Sequence, residues 1–364
     1  LSQIQIIELD QAEPLARGRA YGEAARERIR DILEVYAEQF ALVTGESWAE
    51  IVDRGRVHLA PARQYAPDLI EEVIGIAQGS KRSFEEIFLL NARSEIVFGA
   101  KALGLECTTL LALPPATIGG ETLLAQNWDW LSTVKGLQVM LKIAGRGETP
   151  PLVTFTEAGQ VAKIGLNGAG LGLVVNNLTS DQPRPGVPWI FIARRVLEST
   201  HLAQALGRVL SAPRAHSINF MLALAAGEGV DLETSPVEEH VLWPEDGLLA
   251  HTNHFLQAGQ RFRDLKPLRD AWPSTYLRLR RVSQGLAARR GRLDEAGLRE
   301  VLSDHFDRPF SVCAHPNPAQ EPVRRMETCL SIILNLSARR ILFCPDNPCQ
   351  DEWEQLDLKD VWGG

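Results

Sequence analysis

The stretch that most constrains this chain runs from Cys107 to Trp130. Two apolar arms, Cys107-Thr108-Thr109-Leu110-Leu111-Ala112-Leu113 and Leu123-Leu124-Ala125-Gln126-Asn127-Trp128-Asp129-Trp130, are rich in strand-compatible residues. Between them lies Pro114-Pro115-Ala116-Thr117-Ile118-Gly119-Gly120, with the Pro/Gly punctuation of a turn. Folding the arms antiparallel about Ile118 sets Leu113 against Leu123 and Cys107 against Asp129. Directly opposed residues lie about 4.5–5.5 Å apart at Cβ. This register therefore predicts a thiol beside a carboxylate at the open end of a hairpin.

A chain of 364 residues, 45% of them hydrophobic, can bury a large core as one domain or two. Mean hydropathy is −0.10, and no apolar run reaches the ~18–20 residues needed to span a bilayer. The opening Leu1-Ser2-Gln3-Ile4 lacks the basic and apolar regions of a signal peptide. The net charge of −8, without a dense Lys/Arg stripe, argues against nucleic acid or an anionic membrane as partner. The five cysteines are too few and too scattered for a disulfide framework, so a reducing, cytoplasmic setting is expected. Cys344 and Cys349 read as buried or loop thiols.

Ile4-Gln5-Ile6 alternates like a short strand, and residues 16–43 carry a helical stripe through Tyr21, Ala25, Ile29, Ile32, Leu33, Tyr36 and Phe40. Further helices are expected over 48–60, from Pro67 to about Ala77, and over 84–94 behind the capping box Ser83-Phe84-Glu85-Glu86. After residue 106 the texture changes to strands, over 137–144, 152–156, 161–166 and 171–175. Helices follow at 189–198 and 202–210, the second capped by Thr200. Strands resume at 218–225, 240–243 and 248–252, then helices at 275–289 and 294–305, then strands at 329–336 and 341–344. Strand-rich stretches broken by helix pairs imply an α+β protein of sheets packed together and flanked by helices. Residues 165–172 hold Gly168-x-Gly170 but neither G-x-G-x-x-G nor a Walker lysine, so a tight hairpin is expected there.

Cys-Thr-Thr followed by Gln-Asn-Trp-Asp resembles the start of the mature chain in the acyl-coenzyme A:6-aminopenicillanic acid acyltransferase family, also called peptidase family C45, of the N-terminal-nucleophile (Ntn) hydrolases. The resemblance continues in order through Thr156-Glu157-Ala158-Gly159, Lys163-Ile164-Gly165-Leu166-Asn167-Gly168-Ala169-Gly170, Leu197-Glu198-Ser199-Thr200, His251-Thr252-Asn253-His254 and Pro309-Phe310-Ser311-Val312-Cys313. It implies a four-layer αββα Ntn-hydrolase sandwich over 107–364. Residues 1–106 then form an N-terminal helical segment packed against it, a pro-region or small subunit. It also implies an amidase or acyltransferase.

The chemistry fits that expectation. A free thiol has a pKa near 8.5, so little of it is thiolate at neutral pH. If the Glu106–Cys107 bond is cut autocatalytically, Cys107 gains an α-amino group of reference pKa about 7.7–8.0 that can serve as its base. Asp129 near that amine would orient it and favour its charged form. The resemblance assigns Asn253 as donor to the tetrahedral oxyanion and Ser217 to precursor processing. Read on residues alone, Asn253 and Ser217 also suit backbone capping, and His251-x-x-His254 has metal-ligand spacing but no third ligand. Where the family has Gly before the nucleophile this chain has Glu106. Where it has Arg after the Phe-Ser-x-Cys segment this chain has Ala314, followed by His315, with Arg324 and Arg325 a few residues on.

The expected reaction is attack of Cys107 on a linear amide or acyl thioester, a thioester acyl-enzyme, and release to water or an amine. No metal or redox cofactor is implied; acyl-CoA is a candidate substrate. The cleaved N-terminal fragment is the expected subunit partner, and a homo-oligomer is compatible. Two other classes stay open: a cysteine peptidase in which an internal Cys107 pairs with His251 or His315, and a non-catalytic binding protein on the same fold. Residues 180–188 and 261–276 are candidate pocket walls.

Overall fold

A computed structural model of the chain describes residues 4–100, 106–266, 273–350 and 352–358. Its centre is the expected hairpin, β2 (Glu106–Ala112) and β3 (Leu123–Leu131). The pairing is one residue off the predicted register: Glu106 lies opposite Asp129, Cys107 opposite Trp128 and Ala112 opposite Leu123. The connection causes the slip. Leu113 leaves the ladder to bond Gly247, and Thr117 bridges to Leu293, so the loop is not centred on Ile118. A one-residue shift moves a side chain to the other face of the sheet. Cys107 and Trp128 therefore share the inner face, and Asp129 turns to the outer one.

The N-terminal segment supplies β1 (Gln5–Leu9), α1 (Pro14–Ala24), α2 (Arg26–Thr44), α3 (Trp48–Gly55), α4 (Leu59–Tyr65), α5 (Pro67–Ser80), α6 (Phe84–Asn91) and α7 (Arg93–Ala100). The helix expected over 16–43 is two, broken at Ala25, while the stripe of apolar residues is buried as read. Ser83 and Glu86 form the capping box. Then come β4 (Gln138–Ile143), β5 (Leu152–Glu157), β6 (Ile164–Asn167), β7 (Leu171–Asn177), α8 (Trp189–Leu197), α9 (Leu202–Leu210), β8 (Ile218–Leu224), β9 (Glu228–Thr234), β10 (Glu239–Leu242) and β11 (Leu248–His251). Helices α10 (Ser274–Ala287) and α11 (Glu295–Leu302) precede β12 (Met326–Asn335), β13 (Arg340–Cys344) and β14 (Glu354–Asp357). Residues 168–170 are the turn of the β6–β7 hairpin. The cap of α9 is His201, not Thr200: its ring nitrogen accepts from the Gln204 N–H.

Eight strands order as β1-β4-β5-β6-β7-β8-β9-β10 and six as β11-β2-β3-β12-β13-β14. The two sheets meet face to face. At Gly172 an added Cβ would lie 2.6 Å from Leu336 and 2.9 Å from Leu124, and at Gly229 one would lie 2.7 Å from Leu111. Outside the six-stranded sheet, Val282 and Leu286 of α10 and Leu298 and Leu302 of α11 pack on Leu110, Ala112, Leu123 and Ala125. Outside the eight-stranded sheet, α8 and α9 and the N-terminal helices share its apolar core. This is the four-layer αββα arrangement. Among the described residues no helix is long and apolar enough to cross a membrane.

The N-terminal segment is woven into the sandwich. β1 runs parallel to β4 at one sheet edge, and Glu72 of α5 is paired with both Arg17 of α1 and Arg194 of α8, all buried. Helices α1 and α5 approach through glycines at four-residue spacing, Gly18 and Gly22 against Gly75 and Gly79. A Cβ at Gly75 would lie 2.2 Å from Leu15 O, and one at Gly18 would lie 1.9 Å from Glu72 O. Gly75→Ala would gain about 1 kcal/mol in helix propensity. Backbone overpacking costs about 1–3 kcal/mol or more, and here the obstacle is a rigid carbonyl. The variant is expected to be less stable, with a lower urea midpoint; an unchanged or raised midpoint would show that the helices separate freely.

Candidate active site

Cys107 is the second residue of β2, at the end of the sandwich where β7, β11 and α10 converge. It is 6% exposed. Its backbone N–H donates to Asn253 Oδ1 at 2.7 Å, and its carbonyl accepts from Arg278 Nη1 at 2.7 Å. Arg278 Nη1 also reaches Thr108 Oγ1 at 3.0 Å, and Nη2 donates to Asn253 Oδ1 at 2.9 Å. The Asn253 oxygen thus receives two N–H donors, which fixes the orientation of its amide. Its Nδ2 donates to Asn177 O at 3.1 Å. The loop bearing Asn253 is clamped to the start of α10, where Asn253 N–H donates to Thr275 Oγ1 and Thr252 Oγ1 donates to Thr275 O.

Arg278 has no signal in the sequence near Cys107. It lies 171 residues away and reads as one more charge on a helix, yet it is 1% exposed. Arg324 lies in a short 3₁₀ turn (Pro322–Arg324), and Arg325 Nε donates to Gln320 O.

Beneath the thiol lies a buried group of charges. Glu157, at the end of β5, is fully buried and pairs with Arg93 of α7, with Lys163 Nζ at 3.3 Å and with the Tyr36 hydroxyl. The Lys163 ammonium sits 3.4 Å from the centroid of Trp128, and the Arg93 guanidinium lies 4.3 Å from that of Trp130, within cation–π range. Burial alone would raise Glu157, but Arg93 and Lys163 outweigh it and hold the carboxyl down at about 2. Burial pushes the Lys163 ammonium down to about 8, against the pull of Glu157. Two cations facing one anion leave a net positive charge beside the sulfur. A cavity of about 30 Å³ between the sheets is lined by Cys107, Trp128, Trp130, Lys163, Arg93 and Trp189 among others. That is room for a water.

Burial raises the Cys107 thiol to about 11, Asp129 adding to the rise while Lys163, the Asp129 backbone N–H and Arg278 oppose it. Asp129 therefore meets Cys107 through its backbone N–H and its field. Its side chain accepts from Thr328 Oγ1 at 2.6 Å on the outer face. The structure brings Cys107, Asn253 and Asp129 into one region, but not by the opposed pairing the sequence predicted.

Other expected residues lie elsewhere. Ser217 is buried and donates to Ser180 Oγ at 2.8 Å. His251 Nε2 is 2.8 Å from Glu233 Oε1 and Nδ1 is 2.7 Å from Thr252 O. Burial works against its charge, but Asp231 and Glu233 hold its pKa above the usual value, so it serves as a donor in a buried ion pair. His254 contacts Thr275. His315 bonds to His305 and Cys313, not to Cys107. Among the described residues, then, neither His251 nor His315 forms the internal Cys–His pair. The Glu106 side chain and residues 101–105 lie outside the described residues, as do residues 267–272 of the expected pocket wall; of that wall's other part, 180–188, none lines the cavity, whereas Asn177 and Trp189 beside it do.

A family model described as acyl-coenzyme A:6-aminopenicillanic acid acyl-transferase matches residues 117–350. The 40 kDa form of acyl-coenzyme A:6-aminopenicillanic-acid-acyltransferase from Emericella nidulans is 28% identical over 360 residues, spanning 96% of this chain and 97% of that protein. Among solved structures, the Caenorhabditis elegans ortholog of N-acylethanolamine-hydrolyzing acid amidase aligns with 16% identity and a TM-score of 0.45, covering 69% of this chain and all of that one. Penicillin V acylase from Agrobacterium tumefaciens aligns with 14% identity and a TM-score of 0.47, covering 70% and 86%.

The charge group makes a stability prediction. Glu157→Gln leaves Arg93 and Lys163 buried without their counter-ion and is expected to cost about 3–5 kcal/mol. The wild-type carboxyl lies below its unfolded value of 4.5, so its contribution is complete above pH 4.5 and disappears as pH falls toward about 2. Denaturant unfolding across that window should show a loss in the wild type to which Glu157→Gln contributes nothing; parallel profiles would reject the pairing.

Proposed function

The chain belongs to the acyl-coenzyme A:6-aminopenicillanic acid acyl-transferase family, and from that premise we propose that Cys107 carries out amide cleavage or acyl transfer after the chain has cut itself at Glu106–Cys107. The observation that carries this reading is the grip on Cys107: Asn253 holds its N–H and Arg278 its carbonyl. A structural cysteine has no need of side-chain ligands on its backbone at the head of a strand.

In the uncut chain a thiol with a pKa of about 11 is thiolate in roughly one molecule in ten thousand at pH 7. A base is needed, and Lys163, held at about 8 in the same cavity, suits that role when neutral. The sulfur attacks the Glu106 carbonyl carbon. The tetrahedral intermediate collapses with rupture of the C–N bond, and the thiol proton ends on the departing nitrogen. The products are a thioester and a free α-amine. Water then attacks the thioester, leaving a carboxylate on Glu106 and restoring the thiol.

In the cut enzyme the α-amine replaces the amide N–H facing Asn253. It takes the proton of its own sulfur as that sulfur attacks an amide or thioester carbonyl. Asn253 Nδ2 has one hydrogen on Asn177 O and a second for the oxyanion, a contact worth about 2.7–4 kcal/mol. The net positive charge of the Arg93–Lys163–Glu157 group favours the same oxyanion and the thiolate. Asp129 orients the amine through its field. The collapse of the intermediate yields a thioester acyl-enzyme, and water or an amine takes the acyl group. The acyl donor is a linear amide or acyl thioester, with acyl-CoA as a substrate rather than a resident cofactor. The N-terminal fragment stays as a subunit, because Arg93 and Ser94 wall the cavity.

Intact mass tests the cut. The 364 residues should divide into 106 and 364 − 106 = 258, roughly 12 and 28 kDa of the 40.2 kDa chain. Cys107→Ala should stay whole and take up no acyl group. Active protein that remains a single polypeptide would discard the proposal. In the cut enzyme kcat/KM should rise with pH through the range of the amine, about 7.7–8.0 unperturbed. A carboxylate nearby raises that value, so Asp129→Asn should move the limb to lower pH. A limb that does not move removes Asp129 from the assignment.

A further inference from the structure

Four side chains that the proposed reaction does not use converge beside the start of β12 in the six-stranded sheet: His305 after α11, Cys313 and His315 on the segment leading to β12, and Cys349 after β13. His305 Nε2 lies 3.1 Å from His315 Nε2. Cys313 Sγ lies 3.4 Å and Cys349 Sγ 3.8 Å from that same nitrogen. One donor atom from each of the four falls within 4.8 Å of all the others. We propose that these residues bind one structural zinc ion with two thiolates and two imidazoles.

Coordination geometry supports this. Zinc binds nitrogen at about 2.0–2.1 Å and sulfur at about 2.3 Å, so the edges of the tetrahedron are roughly 3.3 Å for N···N and 3.6 Å for N···S. The three separations from His315 Nε2, 3.1, 3.4 and 3.8 Å, sit within a few tenths of an ångström of those edges, and the remaining pairs, all within 4.8 Å, need only side-chain rotation to close. Soft sulfur and borderline nitrogen donors without a carboxylate select zinc over magnesium or calcium. Four protein ligands leave no open position, which is the structural rather than the catalytic pattern. A disulfide between Cys313 and Cys349 is the competing use of these atoms. It would explain the two sulfurs but not two imidazole nitrogens aimed at the same point.

The backbone around the cluster is braced as a metal site requires. Cys313 N–H donates to Asp304 O and His315 N–H to Pro309 O, each at 3.0 Å. Asn347 Nδ2 donates to Ala314 O, tying the Cys349 loop to the Cys313–His315 segment. Ala314, between two of the ligands, donates its N–H to Thr328 Oγ1 at 3.0 Å, and that hydroxyl donates to Asp129 Oδ1 at 2.6 Å. The ion would pin three loops and hold in place the residue whose backbone N–H meets the Cys107 sulfur.

The test uses the full chain purified under reducing conditions without a polyhistidine tag. Elemental analysis should find about one zinc per chain. After removal of zinc by a chelator, titration with Co(II) should give thiolate-to-cobalt charge-transfer bands and the strong visible bands of a tetrahedral site. Cys349→Ser and His305→Ala, both substitutions of exposed residues, should lose stoichiometric binding, and re-added zinc should raise Tm in the wild type but not in them. Metal-free protein that gives no tetrahedral cobalt spectrum overturns the proposal. So does a Cys313–Cys349 disulfide mapped in the isolated protein, or a cobalt spectrum that survives both substitutions.

Discussion

The site depends on one amide oxygen. Asn253 Oδ1 takes a hydrogen bond from the Cys107 backbone at 2.7 Å and another from Arg278 at 2.9 Å. Those two donors come from the start of β2 and from α10, and the acceptor follows β11. Three elements are therefore locked together, with β2 146 and 171 residues before its partners on the other two. Backbone bonds at a strand end ordinarily go to water or to the next strand. Here both polar groups of one residue are held by buried side chains, so the residue cannot move without leaving Asn253 and Arg278 short of partners in a dry place, which is costly. Preorganisation of this kind is what a nucleophile needs, since a misplacement of an ångström far from the chemistry already lowers the rate.

How the sequence could be read follows from the same burial. Strands buried on both faces read as continuous apolar runs, so β2 and β3 were legible as strands, but nothing in their pattern told one face from the other. The register was set by the departures of Leu113 and Thr117 toward distant partners, and so Asp129 came out opposite Glu106 instead of Cys107. Strand β9 has no apolar signature because Glu228, Asp231 and Glu233 read as solvent-facing residues. Asp231 and Glu233 are buried, and Glu233 is satisfied by His251 and two backbone amides. Cys107 and Asn253 were visible through ordered motifs. Arg278, Arg93 and the role of Glu157 were not, since each acts through a partner far along the chain. Cys349 read as an unremarkable loop thiol for the same reason.

Charge is handled differently on the two faces of the hairpin. On the inner face Glu157 holds two cations against two indoles, and the surplus positive charge lies beside Cys107. On the outer face Asp129 is matched by the hydroxyl of Thr328. The sulfur stands between a field that favours its anion and one that opposes it, and burial tips the balance to a protonated thiol. The same burial makes an adjacent amine valuable, because a base within the site can take the proton that solvent cannot reach.

Scission of one peptide bond at the head of β2 would leave the packing of this fold intact. The residues before the cut contribute β1 to the eight-stranded sheet, the glycine contact of α1 with α5, and the Arg17–Glu72–Arg194 link to α8. Their apolar side chains lie in the same core as those of β4 to β8. At about 25 cal/mol per Å² of apolar surface, exposing such a shared core costs far more than the entropy gained by freeing the fragment, which is on the order of 4–15 kcal/mol. Such a cut would separate two chain ends without separating two bodies, and the Arg93 wall of the cavity would survive it. On the proposed reading Cys107 would then gain an amine while keeping the surroundings that the uncut chain built for it.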